Sequence, residues 1–161
     1  FGGTAEIYAR LGALGSGQFL MQAHTHIGPA SGMDAPTALV VEDEVLLRLT
    51  LSEHLRDAGF HILEAANSDE ARKIVASVND IGVLITDVHM TVKFEGIELA
   101  LWMAQNHPEI PVIVTSGSLD VAQSPALAEC WNAVFVPKPY SEREMERVAR
   151  MRMSARGAES K

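Results

Sequence analysis

The chain has 161 residues, 47% of them apolar, a formal net charge of −8 and a pI near 5.2. That is apolar material enough for one buried core, most simply a single domain, while the acidic balance lends no electrostatic support to a nucleic-acid partner. A single cysteine, Cys130, cannot close an internal disulfide, no apolar run nears the ~20 residues that span a bilayer, and no basic-then-apolar leader opens the chain, so the expectation is a soluble cytoplasmic protein without a nucleic-acid or membrane partner.

Residues 1–36 stand apart. They hold seven of the twelve glycines, and "LGALGSGQ" and "GPASG" interrupt any long helix or strand. His24 and His26 bring two imidazoles close together, but two ligands do not make a metal site. An irregular or flexible N-terminal extension is expected here, followed by a folded domain over 37–154 and a short tail over 155–161.

From Thr37 the pattern turns regular. "TALVVE" (37–42) is a short apolar run rich in β-branched residues, which predicts a buried strand. "DEVLLRLTLSEHLRDAG" predicts a helix with Leu47, Leu51 and Leu55 on its apolar face and Gly59 as its stop. "FHILEA" predicts the second strand, and "NSDEARKIVASV" a helix capped by Asn67 or Ser68 with acids in its first turn. "IGVLITD" is the third strand, and "EGIELALWMAQNH" a helix closed by Pro108. "PVIVTSG" is the fourth strand. A weaker helix is predicted between Leu119 and Cys130, interrupted by Pro125. "AVFVPKP" is the fifth strand, and "SEREMERVARMRM" the last helix, with Ser141 and Glu144 spaced as a capping box.

Strands alternating with helices predict an α/β fold: one doubly wound, parallel five-stranded sheet covered on both faces. Ligands of such sheets bind beyond the carboxyl ends of the strands. Those ends carry Glu42 and Asp43, then Asp87, then Thr115, Ser116 and Gly117, then Lys138. Singly each has an ordinary explanation: Asp87 as a cap or turn residue, Glu42–Asp43 as an acid pair opening a helix, Ser116 as a turn residue, Lys138 as a surface charge. At successive strand ends they become a set. Three carboxylates so close repel one another, and a hard divalent cation such as Mg²⁺ relieves the conflict. Lys138 adds a point charge for an anion, Ser116 a hydroxyl donor, and Gly117 room for close approach.

The four motifs "VVEDE", "LITDVHM", "VIVTSG" and "FVPKPY", in this order and spacing, are similar to those of the receiver domain of two-component response regulators. The resemblance runs from Thr37 to about Arg150. It implies a flavodoxin-like fold of the chemotaxis type with strand order 2-1-3-4-5. It further implies that Asp87 is the phosphoacceptor, taking a phosphoryl group from a phosphohistidine on a histidine kinase or histidine phosphotransfer protein. Asp43, Asp87 and the backbone carbonyl of His89 would hold Mg²⁺ (with Mn²⁺ able to replace it), and Glu42 would act through a metal-bound water. Ser116 and Lys138 would contact the phosphoryl group, Ser116 and Phe135 would form the switch, and the Lys138–Pro139 peptide would be cis. No other cofactor is implied. No separate catalytic domain is expected: eleven residues after Arg150 are too few for an enzyme or a DNA-binding helix-turn-helix.

The loop after the phosphoacceptor departs from the family. It reads "MTVKFEG", with Thr91 where proline is common, Glu95 as the acid before Gly96, and an apparent extra residue. His89, two after Asp87, stands where the family tunes phosphoryl lifetime. An Mg²⁺-dependent aspartyl-phosphate phosphatase would want an acid at that place, and a pseudo-receiver would lack one of the key groups. Output is expected through protein contacts, to a target or to a second copy, on the face of the fourth helix, fifth strand and fifth helix, including Phe135, Cys130 and Trp131; a role as phosphate sink is the other outlet. Two origins remain open: a stand-alone receiver starting near Met33, or the terminal receiver of a hybrid sensor kinase, because "GGTAEIYARLGALG" is loosely similar to the end of a kinase ATP-binding domain.

Overall fold

The computed structural model describes residues 35–91, 95–118, 121 and 123–159, without the side chains of 156–159. Apart from Ala35 and Pro36, the expected N-terminal extension, with His24, His26, Met33 and the kinase-like stretch, lies outside the described residues. The elements are β1 (Thr37–Val41), α1 (Val45–Asp57), β2 (His61–Ala65), α2 (Ser68–Ser77), β3 (Val83–Asp87), α3 (Glu95–Asn106), β4 (Val112–Ser116), α4 (Pro125–Ala128), β5 (Ala133–Pro137) and α5 (Glu142–Glu159). All strand pairs are parallel, in the order β2-β1-β3-β4-β5. The alternation of strands and helices thus gives the expected parallel α/β sheet, and the strand order is the flavodoxin-like one that the receiver resemblance implies.

Because strand side chains alternate between faces, each strand feeds two cores. Leu39, Val41, Leu84, Val112 and Val114 pack on one face with α2, α3 and α4. Ala38, Val40, Val83, Ile85 and Ile113 pack on the other with Leu51 and Leu55 of α1 and Met145 and Val148 of α5. Burial on both faces is why β3 and β4 read as near-continuous apolar runs.

Local chemistry fixes the helix starts. Asn67 caps α2: its Oδ1 accepts from Glu70 N at 2.9 Å, while Glu70 Oε2 accepts from Ala66 N at 2.8 Å. Ser141 Oγ accepts from Glu144 N at 3.2 Å at the start of α5. That helix continues past Met153 to Glu159, since no proline intervenes. Gly59 adopts φ +91, the left-handed turn that ends α1. The Lys138–Pro139 peptide is cis.

Three expectations need correction. Pro125 opens α4 instead of interrupting a longer helix; it occupies the first turn, where its missing N–H costs nothing, and Ser124 caps it by accepting from Leu127 N at 3.2 Å. Cys130 is core, not surface: it is 3% exposed and its thiol donates to Ala126 O. Leu47 does not share the buried stripe of Leu51 and Leu55, but is 45% exposed. It sits in the first turn of α1, on the wall of a groove it shares with Pro139 and Tyr140.

Candidate phosphoacceptor site

The site is made by letting the strand pattern run a step past the sheet. Val40, Ile85 and Val136 all belong to the core beneath α1 and α5. Two residues further on, and so on the same face by alternation, stand Glu42, Asp87 and Lys138. The ladder bonds hold their backbones there: Glu42 N donates to Ala65 O at 3.1 Å, Val88 N to Thr115 O at 2.9 Å, and Lys138 N to Ser116 O at 2.8 Å.

Lys138 Nζ donates to Asp87 Oδ2 at 3.0 Å and to Glu42 Oε2 at 3.3 Å. Asp87 is 8% exposed and Glu42 7%, so a single ammonium is shared by two nearly buried carboxylates. Burial raises the pKa of Glu42; Lys138 pulls it down, and the charge of Asp87 pushes it up again. For Lys138, burial alone would lower the pKa, but the hydrogen bond and charge of Asp87, joined by those of Glu42, outweigh it and the net shift is upward. Tyr140 is raised as well, first by burial, with Lys138 acting in the opposite direction. Asp87 Oδ1 is buried and has no hydrogen-bond partner among the described residues. An orphaned carboxylate oxygen is costly unless something fills its lone pairs.

Asp43 is half-buried nearby and accepts from the Thr91 hydroxyl at 3.0 Å, so the residue standing in place of the family's proline ties the loop after β3 to the first acidic turn. Gly96 is the other anchor. A Cβ added there would lie 1.9 Å from Asp87 O and 2.7 Å from Asp87 C, so α3 begins in direct contact with the Asp87 backbone. Glu95 accepts from Ser68 N at 2.8 Å and joins that start to α2. At Gly117 an added Cβ would meet nothing within 4 Å, which leaves open space beside β4.

Ser116 is fully buried, and its Oγ accepts from Ser118 N at 3.1 Å and lies 3.3 Å from His89 Nδ1. Phe135 is half-buried and packs with the α2–α4 core; its register partner on β4 is Val114, two residues before Ser116. Ser116 and Phe135 thus share the sheet face opposite to that of the three charged groups.

With the fold and site in place, sequence comparison decides the family. Residues 38–150 match the response regulator receiver domain family. The chain belongs to that family. The receiver is 30% identical over 110 residues to the sensor kinase CckA of Brucella abortus, covering 68% of this chain and 12% of that protein. It is 29% identical over 119 residues to the regulatory protein VirG of Rhizobium radiobacter, covering 73% of this chain and 43% of that protein. It therefore spans less than half the length of these two relatives. Among solved structures, the response regulator receiver protein of Sinorhizobium medicae superposes with a TM-score of 0.68 at 22% identity, covering 78% of this chain and 99% of that one. The beryllofluoride-activated NtrC4 receiver domain dimer gives 0.65 at 27% identity, covering 74% and 98%. The chain is thus a receiver domain of two-component signalling, a family that is generally Mg²⁺-dependent.

One feature of the site escaped the sequence reading. Val45, Leu46, Leu47 and Leu49 are 54%, 72%, 45% and 41% exposed, an aliphatic patch on the first half of α1. Leu47, with Thr50, Leu51, Pro139 and Tyr140, lines a groove of about 440 Å³ that reaches Lys138. A run such as "VLLRLTL" looks like core in any sequence. On a helix, however, its apolar residues fall all round the axis, and one buried face cannot hold them all.

Proposed function

We propose that this receiver domain accepts a phosphoryl group on Asp87 from a phosphohistidine of a partner protein and signals through protein contacts. The observation that carries this reading is the ion pair of Lys138 with Asp87, two polar groups delivered to one buried spot by strands β3 and β5. A carboxylate is a competent nucleophile towards phosphorus. In the transfer an Asp87 oxygen forms the new P–O bond as the P–N bond to the donor imidazole breaks, and the imidazole leaves with the electron pair. Lys138 is already within reach of Asp87, so it can follow the developing charge on the phosphoryl oxygens without large motion. Ser116 then supplies a hydroxyl donor from the adjacent strand end.

The donor set fits a hard cation: Asp43 follows β1 and Asp87 ends the neighbouring strand β3, the Asp87 Oδ1 is left without a partner among the described residues, and Mg²⁺ needs only one or two carboxylates when it keeps its waters. No three His, Cys, Asp or Glu side chains converge into an all-protein cage among the described residues, and such a cage is the kind of site Mg²⁺ does not require. Asp43 and Asp87 would hold it together with the His89 carbonyl, and Glu42 through water; bound there, it adds positive charge against the transferring group. Mn²⁺ would serve in its place.

A phosphohistidine is presented by a protein, so the donor needs a surface beside the pocket. The exposed aliphatic patch of α1, continuous with the groove to Lys138, offers one. Output would pass through Ser116 and Phe135 to the α4–β5–α5 face, where Trp131 is 67% exposed. The reading assigns no enzyme activity beyond the domain's own phosphorylation and hydrolysis. The likeness to a sensor kinase favours a second arrangement of the same chemistry, in which this receiver is one part of a hybrid kinase.

The test is direct. Incubation with acetyl phosphate and Mg²⁺ should add one phosphoryl group, located by mass spectrometry on Asp87 and absent from Asp87→Asn. An unmodified protein under these conditions would mark a pseudo-receiver instead.

A further inference from the structure

Ser116 has a prior engagement. Its hydroxyl is the group that would contact a phosphoryl group on Asp87, yet it is fully buried and already holds two partners: Ser118 N–H donates to it at 3.1 Å, and His89 Nδ1 lies 3.3 Å away. A serine hydroxyl has one proton and two lone pairs. The Ser118 amide takes one lone pair. The imidazole takes either the single proton or the second lone pair, and in both cases it fixes Oγ on the His89 side. His89 itself is exposed and lies two residues beyond Asp87, in the loop that Gly96 and the Thr91–Asp43 bond tie down.

We propose that His89 is a positioning residue that holds Ser116 in its resting place, so that phosphorylation of Asp87 must break the His89–Ser116 hydrogen bond before the switch can turn. This rests on the phosphoacceptor reading and adds regulation to it. A ligand shifts a conformational equilibrium only by its differential interaction with the two states. A bond made solely in the resting state therefore weakens every ligand that recruits Ser116, by about the worth of one neutral hydrogen bond, roughly three- to ten-fold in affinity. Because His89 lies on the surface, this resistance can be changed without touching the core.

The test uses beryllofluoride, a phosphoryl mimic, with Mg²⁺ and the whole chain, its dissociation constant read by ¹⁹F NMR for the unmutated protein, His89→Ala, Ser116→Ala and the double variant. The expected result is binding about three- to ten-fold tighter for His89→Ala, with the gain vanishing in the Ser116→Ala background. Unchanged or weaker binding by His89→Ala overturns the latch and leaves the phosphoacceptor reading intact. An equal gain in both backgrounds also overturns it, because His89 would then merely cover Asp87. If the unmutated chain binds no beryllofluoride, the phosphoacceptor reading fails and the latch with it.

Discussion

Replacing Lys138 by methionine keeps most of the aliphatic stem and removes the ammonium that Asp87 and Glu42 share at 3.0 and 3.3 Å. A buried ion pair broken on one side costs about 3–5 kcal/mol when the remaining charge is fully enclosed. Here the Asp87 and Glu42 side chains are each 9% exposed, but Lys138 is 24% exposed, so water can enter where the ammonium stood. Solvent screening reduces the cost to roughly 1–3 kcal/mol, or on the order of 5 °C in Tm for a domain of this size. The pH dependence is the sharper expectation. Burial raises Glu42 above its ordinary 4.5, and Lys138, with a smaller contribution from the Glu44 N–H, restrains the rise. Without it the folded-state pKa climbs further. The folded Glu42 then keeps a proton that the unfolded chain has released, and stability falls as pH rises from about 4.5 through the raised value. Lys138 itself stays charged across this range, since its pKa is raised from 10.5. Thermal unfolding followed by circular dichroism in metal-free buffer should therefore show a large deficit at pH 8 that shrinks towards pH 5. Equal deficits at the two pH values would refute the shared-ammonium account.

Gly96→Ala places a methyl 1.9 Å from Asp87 O against backbone that cannot rotate away; a loss of about 1–3 kcal/mol in denaturant unfolding is expected, together with slower phosphorylation by acetyl phosphate, because Asp87 must shift with the start of α3. Leu46→Asp combined with Leu49→Asp should slow transfer from a phosphorylated donor protein by about ten-fold or more, while the rate with acetyl phosphate stays unchanged; a parallel loss in both assays would place the effect in the pocket instead. Cys130 is 3% exposed, and burial, with the Glu129 charge, raises its thiol pKa; alkylation by iodoacetamide at pH 8 should be slow in the native protein and fast in urea.

How much of this was legible in the sequence follows from how tightly each position is constrained. Strands β3 and β4 are buried at every residue, and each runs apolar until its last two positions, Thr86–Asp87 and Thr115–Ser116. The polar residues that close such a run therefore mark the site, and Asp87 and Ser116, each the last residue of its strand, could be read directly. Helix α1 is the contrary case. Its leucines recur along its whole length but on different faces: Leu55 is fully buried, whereas Leu46, about half a revolution away, is 72% exposed. Leu47 is the harder case: it lies four residues before Leu51, yet it is 45% exposed at the rim of the groove beside Lys138. Pro125 failed for a related reason, since proline ends or begins a helix according to which side the chain continues on.

On the proposed reading, the two-sided sheet also places the nucleophile and the Ser116–Phe135 pair on opposite faces. Glu42, Asp87 and Lys138 continue the face packed by α1 and α5, while Ser116 and Phe135 continue the face packed by α2, α3 and α4. A donor resting on the α1 patch would thus meet the nucleophile from one side of the sheet, and a displacement of Ser116 would be felt by Phe135 on the other. α5 packs the same face as α1 and also belongs to the proposed output face, so it is substitutions confined to the α1 patch that should alter the rate of phosphorylation without altering what the phosphorylated domain does. The link between the faces is the end of β4, where Thr115, 1% exposed, sits on the charged side and Ser116 on the other. On the proposed reading one residue of strand would carry the signal through the sheet, and His89, bonded to Ser116 from the loop after Asp87, would resist it.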